Sequence, residues 1–334
     1  MNLDAVKKLQ KKLKPFLLPL SFAYGTFLTL RDVYYLNRPK KTFEETKIIS
    51  VGNIVAGGVG KTPLVIELAK FFKTKGKTTV ITNNYPLKDK QIQLVSVDGS
   101  IFKKPPKVSD EPYMIAKKAD VNVIASKNRE AAIELALGLK SKFIILDDAL
   151  HKRNIKKDLE ICVLDKYKPF GDGLLLPAGT LRDTKRALNL CDLIVCVDKG
   201  EKTEKQQELL DCIDVKMEVV GVFDKNRERI DARGKTALAF CGIGNPESFK
   251  NTLENLGVDV KKLIVFEDHH IYTQEEIKQL KKEKGDLRTE LLITTFKDFV
   301  KMENESDIVY VDIKLNIESL KDFLEGFMDE QKDI

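Results

Sequence analysis

One stretch, "SVGNIVAGGVGKTPLV" from Ser50 to Val65, constrains the chain more than any other. The residues leading into it, "KIISVG", form a short, continuously apolar run of the kind that makes a strand covered on both faces. After it, Leu64, Val65, Leu68, Phe71 and Phe72 recur at helical spacing. A strand, a glycine-rich turn and a helix start, in that order, direct backbone N–H groups and the positive end of a helix dipole onto one anion.

The usual phosphate-loop pattern, G-x-x-x-x-G-K-[ST], fails by one residue, because Val55 stands where its first glycine belongs. Context carries the assignment instead. Val55, Ala56, Gly57, Gly58, Val59, Gly60, Lys61 and Thr62 are the expected nucleotide loop, with Lys61 reaching the β- and γ-phosphates of ATP and the Thr62 hydroxyl coordinating Mg²⁺. Pro63 fits a first helical turn, where its missing N–H has no partner to lose. A second apolar run, "FIILDDALHKR", delivers Asp147 and Asp148 to a strand's C-terminal edge, the place for acids that hold Mg²⁺.

Further short apolar runs, "TTVITNN", "VNVIAS", "LEICVLD" and "DLIVCVD", alternate with helical patterns, which indicates a mostly parallel sheet. New strand candidates appear after residue 235, at "TALAFCGI", "LIVFED", "LLITTF" and "IVYVDI". The expected fold class is therefore α/β: a P-loop NTPase-like, mostly parallel sheet flanked by helices, with a second, smaller α/β domain. The expected divisions are residues 1–36, an N-terminal segment; 37–228, the phosphate-loop domain; and 229–334, the smaller domain.

The first fourteen residues carry five lysines and one aspartate, and a 16-residue apolar run, "PFLLPLSFAYGTFLTL", follows. That run contains Pro15, Pro19 and Gly25 and falls short of the roughly 20 residues of a spanning helix. The expectation is a basic, amphipathic segment lying on an anionic membrane surface; the alternative is a helix packed on the protein's own core. The net charge of +6 is too diffuse over 334 residues to indicate a nucleic-acid partner. Cys162, Cys191, Cys196, Cys212 and Cys241 are scattered, with no C-x-x-C among them, and are expected as reduced cytosolic thiols.

With those residues in hand, the chain resembles the tetraacyldisaccharide 4'-kinase (lipid A 4'-kinase) family, whose divergent loop "VGN…GGxGKTP" accounts for Val55. "LPLSFAYG", "SDEP", "LDDALHKR", "GDGLLLPAGTLRD", "AFCGIGNPESF", "FEDHH" and "ITTFKD" accompany that loop in the family's order. The resemblance implies an ATP- and Mg²⁺-dependent kinase that phosphorylates the 4'-hydroxyl of a tetraacylated glucosamine disaccharide 1-phosphate. It further implies a peripheral or monotopic position on the cytoplasmic face of the bacterial inner membrane. It assigns Asp110 as candidate base with His269 as its partner, a pairing that requires the two domains to meet. Without it, Asp110 would read as a helix cap before "EPYMIAKK".

The resemblance also places Asp183 where the family has a metal-site glutamate, and Arg182 beside it, suited to phosphate charge. His151 replaces a glutamine that assists the metal or nucleotide, giving Thr62, Asp148, Asp147, Asp183 and His151 as the metal candidates. Ala149 replaces a glycine, "NNYP" at Asn83 to Pro86 replaces an arginine and two glycines, and Phe296 replaces a glutamate. His270 is left between a structural role and substrate contact. The other reading of the loop and double aspartate is a switch-type P-loop NTPase that controls a protein partner or delivers cargo. Oligomeric state is not legible.

Overall fold

The computed structural model describes residues 3–36, 38–85, 87, 91–200 and 211–329, with side chains from residue 13 onward. Pro86 of the "NNYP" departure and the side chains of Lys7, Lys8, Lys11 and Lys12 lie outside the described residues.

In the first half of the chain, the strands are β1 (Lys47–Gly52), β2 (Thr78–Thr82), β3 (Gln93–Val97), β4 (Ser100–Ile101), β5 (Asn122–Ala125), β6 (Phe143–Asp147), β7 (Leu159–Asp165) and β8 (Leu193–Asp198). After them come β9 (Ile213–Phe223), β10 (Arg229–Ile230), β11 (Thr236–Cys241), β12 (Asp259–Val265), β13 (Leu291–Thr295) and β14 (Ile308–Asn316). They form one sheet in the order β12-β11-β13-β14-β9-β8-β7-β1-β6-β2-β5-β3-β4, with β10 paired to β9. Neighbours run parallel except β14 with β9, β9 with β10, β5 with β3 and β3 with β4. The α/β class and the mostly parallel sheet therefore stand as the sequence led us to expect.

The apolar runs form the sheet's middle because both faces are covered. β1, β2, β5 and β6 are buried along nearly their whole length. Helices α1 (Leu3–Leu36), α2 (Lys61–Lys73), α3 (Asp110–Ala119) and α4 (Arg129–Gly138) belong to the first half, and α5 (Pro246–Asn255), α6 (Gln274–Asp286), α7 (Phe296–Phe299) and α8 (Lys321–Asp329) to the second. Leu64, Val65, Leu68 and Phe72 of α2 enter the main core, which also takes in residues of β11, β13 and β14. The boundary expected at residue 229 falls at the short β9–β10 hairpin. There the sheet continues, since β9 pairs with β8 on one side and with β14 on the other.

Helix α1 runs through the N-terminal segment expected over residues 1–36, and its apolar part is longer than the 16-residue run. Pro15 and Pro19 are accommodated inside it, and Leu13–Leu36 is long and apolar enough to cross a membrane by length and composition. One stripe of the helix docks on the protein. The Ser21 hydroxyl donates to the Leu175 carbonyl at 2.9 Å and accepts from the Ala178 amide at 2.9 Å, and Leu28 is fully buried. The remainder exposes Phe16, Leu20, Phe22, Phe27, Leu30 and Leu36.

The cysteine expectation needs correction. Cys196 and Cys212 form a disulfide, leaving Cys162, Cys191 and Cys241 free. The parallel β8–β9 register, Val195 with Ile213, brings the two Cα atoms to 6.0 Å, a separation that composition does not reveal.

Candidate active site

Strand β1 ends at Gly52, where an added Cβ would sit 2.5 Å from the Leu150 side chain, so the turn closes against the Asp147–Asp148 corner. The segment Thr180–Arg182 then runs beside Ile54–Ala56: Arg182 N–H donates to the Ile54 carbonyl (2.8 Å) and Ala56 N–H to the Thr180 carbonyl (2.7 Å). Val59 N–H bonds the Gly57 carbonyl at 3.1 Å. With the Ala56 and Val59 amides engaged, Gly57, Gly58, Gly60 and the first-turn amides of α2 are the donors suited to an anion. Val55 is buried and pairs with Leu181, which explains why this position dispenses with glycine. Gly60 caps α2 at φ 99°, a left-handed conformation that favours glycine.

Four side chains meet behind the loop. Lys61 Nζ donates to Asn53 Oδ1 at 3.0 Å and lies 3.7 Å from Asp148. Arg182 grips the Asp148 carboxylate through both terminal nitrogens, at 2.7 and 3.1 Å, and also donates to Asn53. Burial alone would raise the Asp148 carboxyl, but the Arg182 bond and the Lys61 charge outweigh it and hold the pKa well below the carboxylate range.

Asp147, buried at the end of β6, accepts from the Thr82 hydroxyl at 2.7 Å on Oδ2. Its Oδ1 is buried without a partner among the described residues. An orphaned carboxylate oxygen next to an ionised Asp148, beside a loop carrying the Thr62 hydroxyl, suits a hard, oxygen-seeking cation such as Mg²⁺. His151 Nε2 is likewise buried and unpartnered, while its Nδ1 faces Asp183 at 3.1 Å.

Asp183 stands apart from the other metal candidates. It is fully buried and is met by Arg31 of α1 (3.0 and 3.2 Å), by His151, and by the Thr184 amide (2.8 Å). Burial opposes its ionisation, but the His151 and Arg31 bonds prevail and keep the pKa down at about 2. Two turns earlier, α1 also reaches this segment, through a Tyr24 hydroxyl that donates to the Arg182 carbonyl at 2.8 Å.

A second cluster lies across the sheet's C-terminal edge. His269 Nδ1 stands 3.0 and 3.1 Å from the two oxygens of Asp110. Asp110 occupies the first turn of α3, after the N-cap Ser109, and its Oδ1 accepts from the Glu111 amide at 3.1 Å, so it serves the helix start as well as His269. Burial would raise the Asp110 carboxyl, but the His269 bond together with Lys297 and Lys301 hold it at about 2. His269 is pushed the other way, above the ordinary histidine value, chiefly by its bond to Asp110. Between the clusters, Glu111 is driven up to about 7 by burial and then by the charge of Asp147. His270 turns away, hydrogen-bonding Glu276 at 3.0 Å and stacking on Phe266, a structural arrangement. Phe296 packs against Tyr310 under the Lys118 ammonium.

Asn53, Arg31, Glu111, Lys297 and Lys301 escaped the sequence reading. Asn53, Glu111 and Lys297 stand inside the blocks "VGN", "SDEP" and "ITTFKD", Arg31 is a cation directly after a long apolar run, and only Lys301 carried no signal.

A nucleotide loop on a parallel sheet, a pair of acids at the next strand's end and an acid–imidazole pair facing them define a P-loop phosphotransferase. The family model described as tetraacyldisaccharide-1-P 4'-kinase matches residues 13–329. The tetraacyldisaccharide 4'-kinase of Rickettsia bellii is 35% identical over 90% of this chain and 90% of its own length. That of Syntrophus aciditrophicus is 30% identical over 97% of this chain and 96% of its own. The crystal structure of LpxK from Aquifex aeolicus in complex with ATP superposes with a TM-score of 0.78 at 28% identity, covering 96% of this chain and 99% of that one. The chain belongs to the tetraacyldisaccharide-1-P 4'-kinase family and is an ATP-dependent kinase of lipid A biosynthesis.

Proposed function

We propose that Asp110 and His269 activate the 4'-hydroxyl of a tetraacylated glucosamine disaccharide 1-phosphate for attack on the γ-phosphorus of ATP. The observation that carries this assignment is the short contact between a depressed carboxyl and a raised imidazole, opposite the phosphate loop. A sugar hydroxyl ionises far above neutral pH, so transfer gains from a group that takes its proton as the new O–P bond forms. With Nδ1–H held on the Asp110 carboxylate, His269 keeps its lone pair on Nε2 and receives the proton there. Asp110 then stabilises the imidazolium.

On the nucleotide side, Gly57, Gly58, Gly60 and the first-turn amides bind phosphate oxygens, and Lys61 leaves Asn53 to meet them. Arg182 neutralises charge on the transferred group. Bound Mg²⁺ would supply charge neutralisation across the phosphates, and Thr62, Asp147 and Asp148 are the residues to hold it. His151 completes that set through Nε2, and Asp183 fixes the tautomer of His151 in place of direct ligation. The exposed side of α1 rests in the cytoplasmic leaflet of the inner membrane, where an acylated substrate resides, and the docked side ties the enzyme body to that surface.

Incubation with ATP, Mg²⁺ and tetraacyldisaccharide 1-phosphate in detergent is expected to yield a product heavier by one phosphate group. Slow ATP hydrolysis that ignores the glycolipid, beside an active control enzyme, would instead favour the switch-type NTPase.

A further inference from the structure

The Asp110–His269 pair is not the end of its network. Asp298 of α7 is fully buried and fixed by backbone and side chain together: it accepts from the Gly242 amide (2.9 Å) and from the Thr295 hydroxyl (2.9 Å). One helical turn later, Lys301 Nζ donates to Asp298 Oδ1 at 3.0 Å. The same ammonium lies 3.5 Å from Asp110 Oδ2. Lys301 is almost wholly enclosed, with 6% of its side chain exposed, and the face of Tyr272 lies 5.7 Å from the ammonium.

Enclosing a lysine ammonium costs several kcal/mol unless anions meet it. Here one anion, Asp298, suffices to balance it, yet the side chain also reaches toward Asp110 on the other half of the molecule. Lys297 differs: it is committed to Asp268 at 2.8 Å and stands 4.0 Å from Asp110. The Asp110 carboxylate is therefore bounded by His269 on one side and by an ammonium anchored to Asp298 on the other.

We propose that Lys301, held by Asp298, is a positioning residue that keeps Asp110 aimed at His269. It is too enclosed to touch the sugar, so it acts only through the carboxylate. The proposal rests on the kinase reading for its effect on rate, but its electrostatic part does not. Among the described residues, the charged and titratable groups facing the pair are Glu111 on α3, Asp268 beside His269, Tyr85 edge-on to the His269 ring, and Lys297 and Lys301 from α7 and its C-terminal end. Removing the Lys301 charge removes a cation that disfavours imidazolium, so the His269 pKa is expected to rise.

The test compares the parent chain with Lys301→Met, Lys301→Gln and Lys301→Arg. The glutamine variant serves if methionine prevents folding, and melting temperatures are read for each. In the substrate-free protein, the His269 ring is titrated by NMR, with assignment aided by there being only three histidines. The neutral variants are expected to move its titration up by roughly half a unit to one unit, and arginine to restore it. In turnover, kcat is expected to fall on the order of tenfold to a hundredfold with KM for ATP unchanged. In an Asp110→Asn background, the same substitution should cost nothing further in rate.

An active parent whose Lys301→Met and Lys301→Gln variants match it in rate and in His269 titration overturns the proposal. So does a rate loss that persists undiminished with Asp110→Asn, because that makes Lys301 merely structural. A parent inert toward the glycolipid, with the titration shift present, would count against the kinase reading and leave the charge coupling standing.

Discussion

His269 directs its Nδ1 at both carboxylate oxygens of Asp110, 3.0 and 3.1 Å away, although 159 positions separate them in the chain. The contact is made because α3 begins at the edge of the first half and the turn after β12 swings His269, at φ 63°, over that edge. A non-glycine residue in this conformation carries local strain, which the surrounding contacts must offset.

Asp110→Asn and His269→Gln should each lower turnover on the order of a hundredfold or more while leaving ATP affinity near that of the parent. Steady-state kinetics with the glycolipid, alongside equilibrium nucleotide binding, separates the two effects. Lost ATP affinity would make the pair structural.

The pH profile follows from the direction of the His269 shift. Asp110 stays ionised across the working range, with its pKa near 2, so within the pair the acid limb reports His269, and a Glu111→Gln background removes the neighbouring carboxyl raised to about 7. Protonated imidazole cannot accept the sugar proton, and its pKa is raised by Asp110. Activity should therefore fall as pH drops through a midpoint above the ordinary histidine value of about 6.5. An acid limb below that value would count against His269 as proton acceptor.

Gly60→Ala should weaken nucleotide binding at least tenfold, because an L side chain is disfavoured at φ 99° and its Cβ would meet Val197 at 3.2 Å. Titration with a fluorescent ATP analogue reads this directly. Unchanged affinity would mean that the loop's backbone does not govern binding.

Arg31→Met takes from the buried Asp183 the guanidinium nitrogen that reaches both its oxygens, leaving Arg153 at 3.6 Å, and should cost about 3 kcal/mol in stability. Adding Asp183→Asn removes the stranded charge and should restore part of that loss. Urea denaturation of the two variants tests the pairing; no recovery in the double variant would show that α1 is held by other contacts.

Replacing Phe16, Phe22 and Phe27 with serine should reduce co-flotation with vesicles containing anionic lipid, while nucleotide binding stays as in the parent. All three are well exposed on the undocked side of α1. Equal flotation would place membrane affinity elsewhere.

Much of this was legible in the sequence because it lies in local patterns. The buried runs became β1, β6, β7 and β8, and the glycines before Lys61 opened α2 as their context required. Pairings between distant residues were not legible. Nothing local distinguishes Lys301 from the many solvated lysines of the chain, and only the packing of α7 on α3 brings it to Asp110. The resemblance put Asp183 in a metal block, but nothing local showed that Arg31 of α1, 152 residues earlier, would bond to it. Cys196 is an ordinary buried residue of β8 and Cys212 stands just before β9, until the β8–β9 register sets them side by side.

The antiparallel ladder between β14 and β9, from Tyr310 to Asn316, joins the two halves of the sheet. Strand β9 meets β8 through Ile213–Lys216 and β14 through Lys216–Phe223, so one continuous strand is the shared spine of both halves, and the encounter of Asp110 with His269 leans on its course.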